Sequence, residues 1–83
     1  MSHNVIVTGG TRGIGKAISL ALKDAGYRVV VNYASRVETA EAFTRETGIP
    51  AIKWNVADYE DCVRGVEEAT EKFGGPAQVL VNN

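Results

Sequence analysis

Thr8-Gly9-Gly10-Thr11-Arg12-Gly13-Ile14-Gly15 follows the short apolar run Val5-Ile6-Val7 and leads at once into a helical pattern. That succession narrows the fold to one in which a strand hands over to a helix through a turn of open backbone. Glycine lets such a turn bend sharply and lets a ligand come close to it. The free N–H groups and positive dipole end of the following helix then face outward, which is a cradle for phosphate. The glycines stand at 9, 10, 13 and 15, so the turn reads T-G-x-x-x-G-I-G and not the commoner G-x-G-x-x-G. On the glycines alone, a tight turn with no ligand is the competing reading. The surrounding chain decides between them.

Strand and helix patterns alternate along the whole sequence. The first strand is expected from about Asn4 to Thr8 and the first helix from about Gly13 to Ala25. Ile14, Ala17, Ile18, Ala21, Leu22 and Ala25 give that helix an apolar face, and Gly26 reads as its left-handed stop. Tyr27 to Asn32 reads as the second strand, its Val29-Val30-Val31 run suiting a strand covered on both faces. Ser35-Arg36-Val37-Glu38 reads as a capping box that opens a second helix from about Arg36 to Thr47. Val37, Ala40 and Phe43 form its thin apolar face, and Gly48 ends it. The third strand is expected over Pro50 to Asn55, with proline at its first position. Asp58 is the expected N-cap of a third helix, with Tyr59, Cys62, Val63, Val66, Ala69, Thr70 and Phe73 as its buried stripe. Gly74-Gly75-Pro76 breaks it, and Gln78 to Asn82 is the fourth strand. Such alternation means βαβ units and a parallel sheet. The fold class is α/β, a Rossmann-like doubly wound sheet with strand order 3-2-1-4, which puts the glycine turn at the strand ends where such sheets bind ligands.

Composition removes several function classes. A net charge of −1 argues against nonspecific nucleic-acid binding, which needs a basic face. No apolar run approaches the roughly 20 residues that a membrane helix requires. Met1-Ser2-His3-Asn4 passes directly into the first strand, with no charged-then-apolar targeting segment. The single cysteine, Cys62, cannot pair within the chain and fits a reducing cytoplasm. It is expected to be a partly buried filler. His3 has no plausible chemical partner in the sequence, and no spacing suggests a metal-ligand cluster.

Sites that prefer NAD place an acid about 20 residues past the glycine turn, on the ribose 2′-hydroxyl. Here the second strand ends Asn32-Tyr33-Ala34-Ser35-Arg36, and the nearby Glu38 is assigned to the capping box. Arg12 inside the turn and Arg36 after the strand are cations where that acid would be, which favours the extra 2′-phosphate of NADP over NAD. Arg36 by itself also reads as a solvated first-turn residue.

The T-G-x-x-x-G-I-G turn, Val30-Val31-Asn32-Tyr33, Trp54-Asn55-Val56-Ala57-Asp58 and Val79-Leu80-Val81-Asn82-Asn83 together resemble the short-chain dehydrogenase/reductase family. The similarity is to its 3-oxoacyl-thioester reductases, of the acetoacetyl-CoA and 3-oxoacyl-acyl-carrier-protein kind. The resemblance implies that Asn55 and Val56 contact the adenine ring and that Asn82 and Asn83 line the adenosine side. With Gly9, Thr11, Arg12, Gly13, Ile14, Gly15, Asn32, Tyr33 and Arg36 they make up the candidate cofactor-binding set.

The family also uses a tyrosine acid with a lysine four residues later, and an upstream serine. Tyr27, Tyr33 and Tyr59 are followed at that distance by Val31, Val37 and Val63, so no catalytic residue is assigned. Tyr27 and Tyr59 are expected to pack. The resemblance therefore implies that residues 1–83 are the N-terminal, NADP(H)-gripping portion of a reductase, with the catalytic part elsewhere. In such a parent, expected to be a homo-oligomer, the nicotinamide reduces the ketone of an acyl thioester. A self-standing nucleotide-binding module and a piece that needs its other half are the competing readings.

Overall fold

The computed structural model describes residues 3–83, so the expectation about a leader at Met1 and Ser2 lies outside the described residues. The elements run β1 (Asn4–Thr8), α1 (Gly13–Asp24), β2 (Arg28–Tyr33), α2 (Val37–Thr47), β3 (Ala51–Lys53), α3 (Tyr59–Phe73) and β4 (Val79–Val81). The strands form one parallel sheet in the order β3-β2-β1-β4, as the alternation predicts. β3 and β4 are shorter than the apolar pattern suggests. Pro50, Trp54 and Asn55 lie outside β3, and Gln78 and Asn82 lie outside β4.

Successive strand residues point to opposite faces, and here both faces are covered. Val5, Val7, Val29 and Val31 join Phe43 and Ile49 on the side of α1 and α2, with Ile18, Leu22 and Tyr27 packed against them. Ile6, Val30 and Ile52 join Trp54, Ala69 and Phe73 on the side of α3. This is why the valine run of β2 shows no alternation: both faces need apolar side chains.

The helices are turned relative to the expected faces. In α1 the buried residues are Gly15 and Ser19, flanked by half-buried Ile18 and Leu22. Ile14 is 75% exposed, and Ala17, Ala21 and Ala25 also face outward. In α3, Gly65, Ala69 and Phe73 face the sheet, with Cys62 half-buried beside them. Tyr59 is 82% exposed, and Val63 and Val66 are exposed as well, so the expectation that Tyr59 packs is overturned. Tyr27 does pack. Small residues set both phases. A β-carbon on Gly65 would stand 2.2 Å from Cε3 of Trp54, so the indole occupies the space that a side chain there would need.

Helix ends follow local chemistry. Gly48 and Gly74 close α2 and α3 in the left-handed conformation, with φ of 75° each. The Asp58 side chain accepts the Asp61 N–H at 3.2 Å, the N-cap expected of it. The capping box at Ser35 does not form. Arg36 is the N-cap of α2 and makes no side-chain cap bond, while the Ser35 carbonyl accepts the Val37 N–H at 2.9 Å. Ser35 stays in the loop, and Glu38 is a first-turn acid favoured by the helix dipole.

Candidate functional site

The C-terminal ends of the strands carry three loops that meet. The glycine turn after β1 is seated on β2 by two bonds to one residue. The Asn32 carbonyl accepts the Gly10 N–H at 3.3 Å, and its side-chain Oδ1 accepts the Gly9 N–H at 3.3 Å. The same side chain donates Nδ2–H to the Trp54 carbonyl at 2.9 Å. Asn32 is buried with both ends of its amide engaged, so it holds loops together beneath the site. Asn83 braces the turn from the other side. Its N–H donates to Thr8 Oγ1 at 2.9 Å and its Nδ2–H to the Gly9 carbonyl at 3.3 Å.

The turn itself has room for an anion. Gly13 has φ of 59°, and a β-carbon built on it would meet nothing within 4 Å. The first α1 bond runs from the Lys16 N–H to the Arg12 carbonyl at 3.2 Å. The N–H groups of Gly13, Ile14 and Gly15 therefore precede the helical ladder and lie at the positive end of its dipole. Gly15 has no room at all: a β-carbon would stand 2.1 Å from the Gly9 carbonyl oxygen. The open position and the crowded one together give a tight loop whose backbone a phosphate can reach, so the residues present fit a dinucleotide pyrophosphate.

A cleft beside this turn is lined by Gly9, Thr11, Arg12, Tyr33, Ala34, Ser35 and Arg36, with no carboxylate among them. It brings the two sequence-predicted arginines together with the turn and the end of β2. Arg12 and Arg36 are both exposed, and Thr11 is buried beneath them. Asn55 and Val56 lie in the loop between β3 and α3, with the Val56 side chain 60% exposed. Exposed Ile14 at the start of α1 is a second aliphatic surface at the edge of the turn.

Sequence reasoning missed a charged group beside this loop. Asp61 accepts the Asn55 N–H at 2.6 Å and is paired with Arg64, whose Nη2 lies 2.9 Å away. The Asn55 N–H and the Arg64 guanidinium hold the Asp61 carboxyl below its ordinary value. Asp61 stands in the first turn of α3, and no sequence pattern marks its partner outside the helix. A larger cleft, about 250 Å³, opens at the other end of the sheet among Lys23, Arg28, Lys72 and Gly48. It faces the C-termini of all three helices, whose negative dipole ends favour the lysines and arginine that line it.

Among the described residues, no helix is long and apolar enough to cross a membrane. The short chain dehydrogenase family matches residues 3–83. The acetoacetyl-CoA reductase of Paracoccus denitrificans is 55% identical over 83 residues, which is all of this chain and 34% of that enzyme. The 3-oxoacyl-acyl-carrier-protein reductase FabG of Staphylococcus aureus (strain N315) is 43% identical over 88 aligned residues, which cover all of this chain and 35% of that protein. Among solved structures, a variant of actinorhodin polyketide ketoreductase with NADPH superposes with a TM-score of 0.87 at 33% identity. That match covers 99% of this chain and 33% of the ketoreductase. The chain thus spans about a third of the length of the relatives it matches.

Proposed function

Because the chain belongs to the short-chain dehydrogenase family, we propose that residues 1–83 form the NADP(H)-gripping portion of a reductase that converts a 3-oxoacyl thioester to its 3-hydroxyacyl counterpart. The observation that carries the cofactor choice is the cleft in which Arg12 and Arg36 stand beside the glycine turn with no carboxylate among the lining residues. A 2′-phosphate beside the adenosine ribose would meet both guanidinium groups, whereas a free 2′-hydroxyl would find no carboxylate to accept its hydrogen bond. A ketoreductase with NADPH among the solved relatives agrees with this preference. The reductase names of the curated relatives support the thioester substrate class.

The residues have separate tasks in this reading. The N–H groups of Gly13, Ile14 and Gly15 face the pyrophosphate. Asn32 and Asn83 hold the turn in shape, and Tyr33, Arg12 and Arg36 surround the 2′ position. Asn55, Val56 and Asn82 border the adenosine. When bound, the nicotinamide supplies the reducing equivalent; no side chain of residues 1–83 is assigned to the acid–base step. A cytoplasmic setting and a homo-oligomeric full-length enzyme complete the proposal, the first resting on the lone thiol of Cys62.

A second reading, a nucleotide-binding piece that needs a further segment to become competent, draws on Leu80, which lies on the α3 face of the sheet and is 63% exposed. Calorimetric titration of the 83-residue chain with NADPH and NADH separates the two. The first reading expects binding that prefers NADPH. A folded chain that binds neither would leave the second reading standing. In the same titration, Arg12→Ala is expected to weaken NADPH by about 10- to 100-fold, the worth of a charge-assisted phosphate contact, with little change for NADH. Equal loss for both cofactors would make Arg12 a pyrophosphate or packing residue and remove the case for NADP.

A further inference from the structure

We propose that Asp61 and Arg64 are positioning residues for the nucleotide site: a carboxylate–guanidinium clamp on α3 that fixes the Asn55–Val56 loop in the shape that receives adenine. This rests on the reading that Asn55 and Val56 face the adenine ring. The clamp spans the loop at two points. Asp61 Oδ2 accepts the Asn55 N–H at 2.6 Å, and Arg64 Nη2 donates to the Lys53 carbonyl at 2.6 Å. Arg64 Nε donates to Asp61 Oδ1 at 3.0 Å, so the two side chains fix each other's geometry. Glu68 holds the far side of the guanidinium, accepting from Nη1 at 2.6 Å.

Helix capping does not account for this arrangement. Asp58 already caps α3, and the Asp61 carboxylate is directed at a backbone group of the preceding loop. The rest of the loop is tied as thoroughly. The Trp54 carbonyl is held by Asn32, the Ala57 N–H by Asn55 Oδ1 at 3.0 Å, and the Asn55 carbonyl by the Asp58 N–H at 3.0 Å. With its neighbours engaged in this way, Val56 presents an exposed aliphatic side chain at the ligand end of the sheet. A flat, apolar ring face is the chemistry that such a surface suits. Fixing the loop beforehand removes the cost of ordering it when the ring arrives.

The test uses the 83-residue chain with adenosine 2′,5′-bisphosphate and inorganic pyrophosphate as probes. Asp61→Ala is expected to weaken the bisphosphate about tenfold and leave pyrophosphate unchanged, and Asp61→Asn, which keeps an acceptor, to recover most of the loss. Amide exchange at Asn55 should quicken in Asp61→Ala without any ligand. Equal loss for both probes would overturn the proposal by showing a general loss of structure, as would unchanged exchange at Asn55. If Val56→Asp weakens the bisphosphate while Asp61→Ala does not, the adenine reading stands and the clamp fails. If neither variant has an effect, the adenine reading fails and the clamp falls with it.

Discussion

Replacing Gly13 with valine is expected to weaken NADPH binding by roughly two orders of magnitude in a chain that still folds. Gly13 sits at φ of 59°, where a β-branched residue is a genuine outlier. The strain of about 1–2 kcal/mol would be relieved by rotating the peptide planes around residue 13. In the proposed site those planes carry the N–H groups that face the pyrophosphate. The added side chain would also fill the open space in front of the turn, where no protein atom lies within 4 Å of the β-carbon position. Losing two charge-assisted contacts at about 1.5 kcal/mol each lowers affinity by roughly two orders of magnitude. Fold integrity is separable because nothing in the core touches this position. Circular dichroism beside calorimetry checks both halves of the expectation. A folded variant with wild-type affinity would remove the glycine turn from the nucleotide site.

Gly65→Val is expected to have the largest effect on stability, through a contact in the core. Its β-carbon would overlap the Trp54 indole, 2.2 Å from Cε3 and 2.3 Å from Cδ2. Either the ring leaves its pocket, where it is 3% exposed, or α3 lifts away from the sheet. Overpacking of this kind costs about 1–3 kcal/mol or more. A chain of this size has about 4–12 kcal/mol of stability in all. The midpoint of thermal unfolding should fall by about 10 °C or more, with Trp54 fluorescence shifted to the red as the indole meets water. Pairing Gly65→Ala with Trp54→Leu, which makes space for the new methyl, should restore part of the midpoint lost by Gly65→Ala alone. An unchanged midpoint in Gly65→Val would mean that the indole and the helix do not meet as described.

The strand order and both faces of the core were legible in the sequence. A strand–turn–helix repeat with continuous valine runs has few packings other than a doubly covered parallel sheet. The faces of the helices were less legible. In α1 and α3 the contacts closest to the sheet are made by Gly15 and Ser19 and by Gly65 and Ala69, two pairs of small residues at i and i+4. Apolar periodicity weights large side chains, so it pointed to Ile14, Tyr59 and Val63, which lie outside the core. Close approach of a helix to a sheet needs small side chains at the contact, and hydrophobicity does not mark them.

The sequence was enough to bring Arg12 and Arg36 to one cleft beside the glycine turn and to mark Gly13 as a turn position. The site was not legible where residues act through one another. The pairing of Asp61 with Asn55 crosses from helix to loop, and the apparent capping box at Ser35 is undone by a backbone turn there. No short-range pattern distinguishes those outcomes.

Asn32 joins the loop after β1 to the loop after β3 through a single buried amide, with its own backbone carbonyl as a third tie. Pulling either loop away from Asn32 strands half of that amide without a partner. A buried donor or acceptor left unpaired costs about 1–3 kcal/mol. The roots of the two loops are thus joined at one residue, while the Asn55–Val56 tip, tied to α3 through Asp61, can loosen without disturbing the glycine turn.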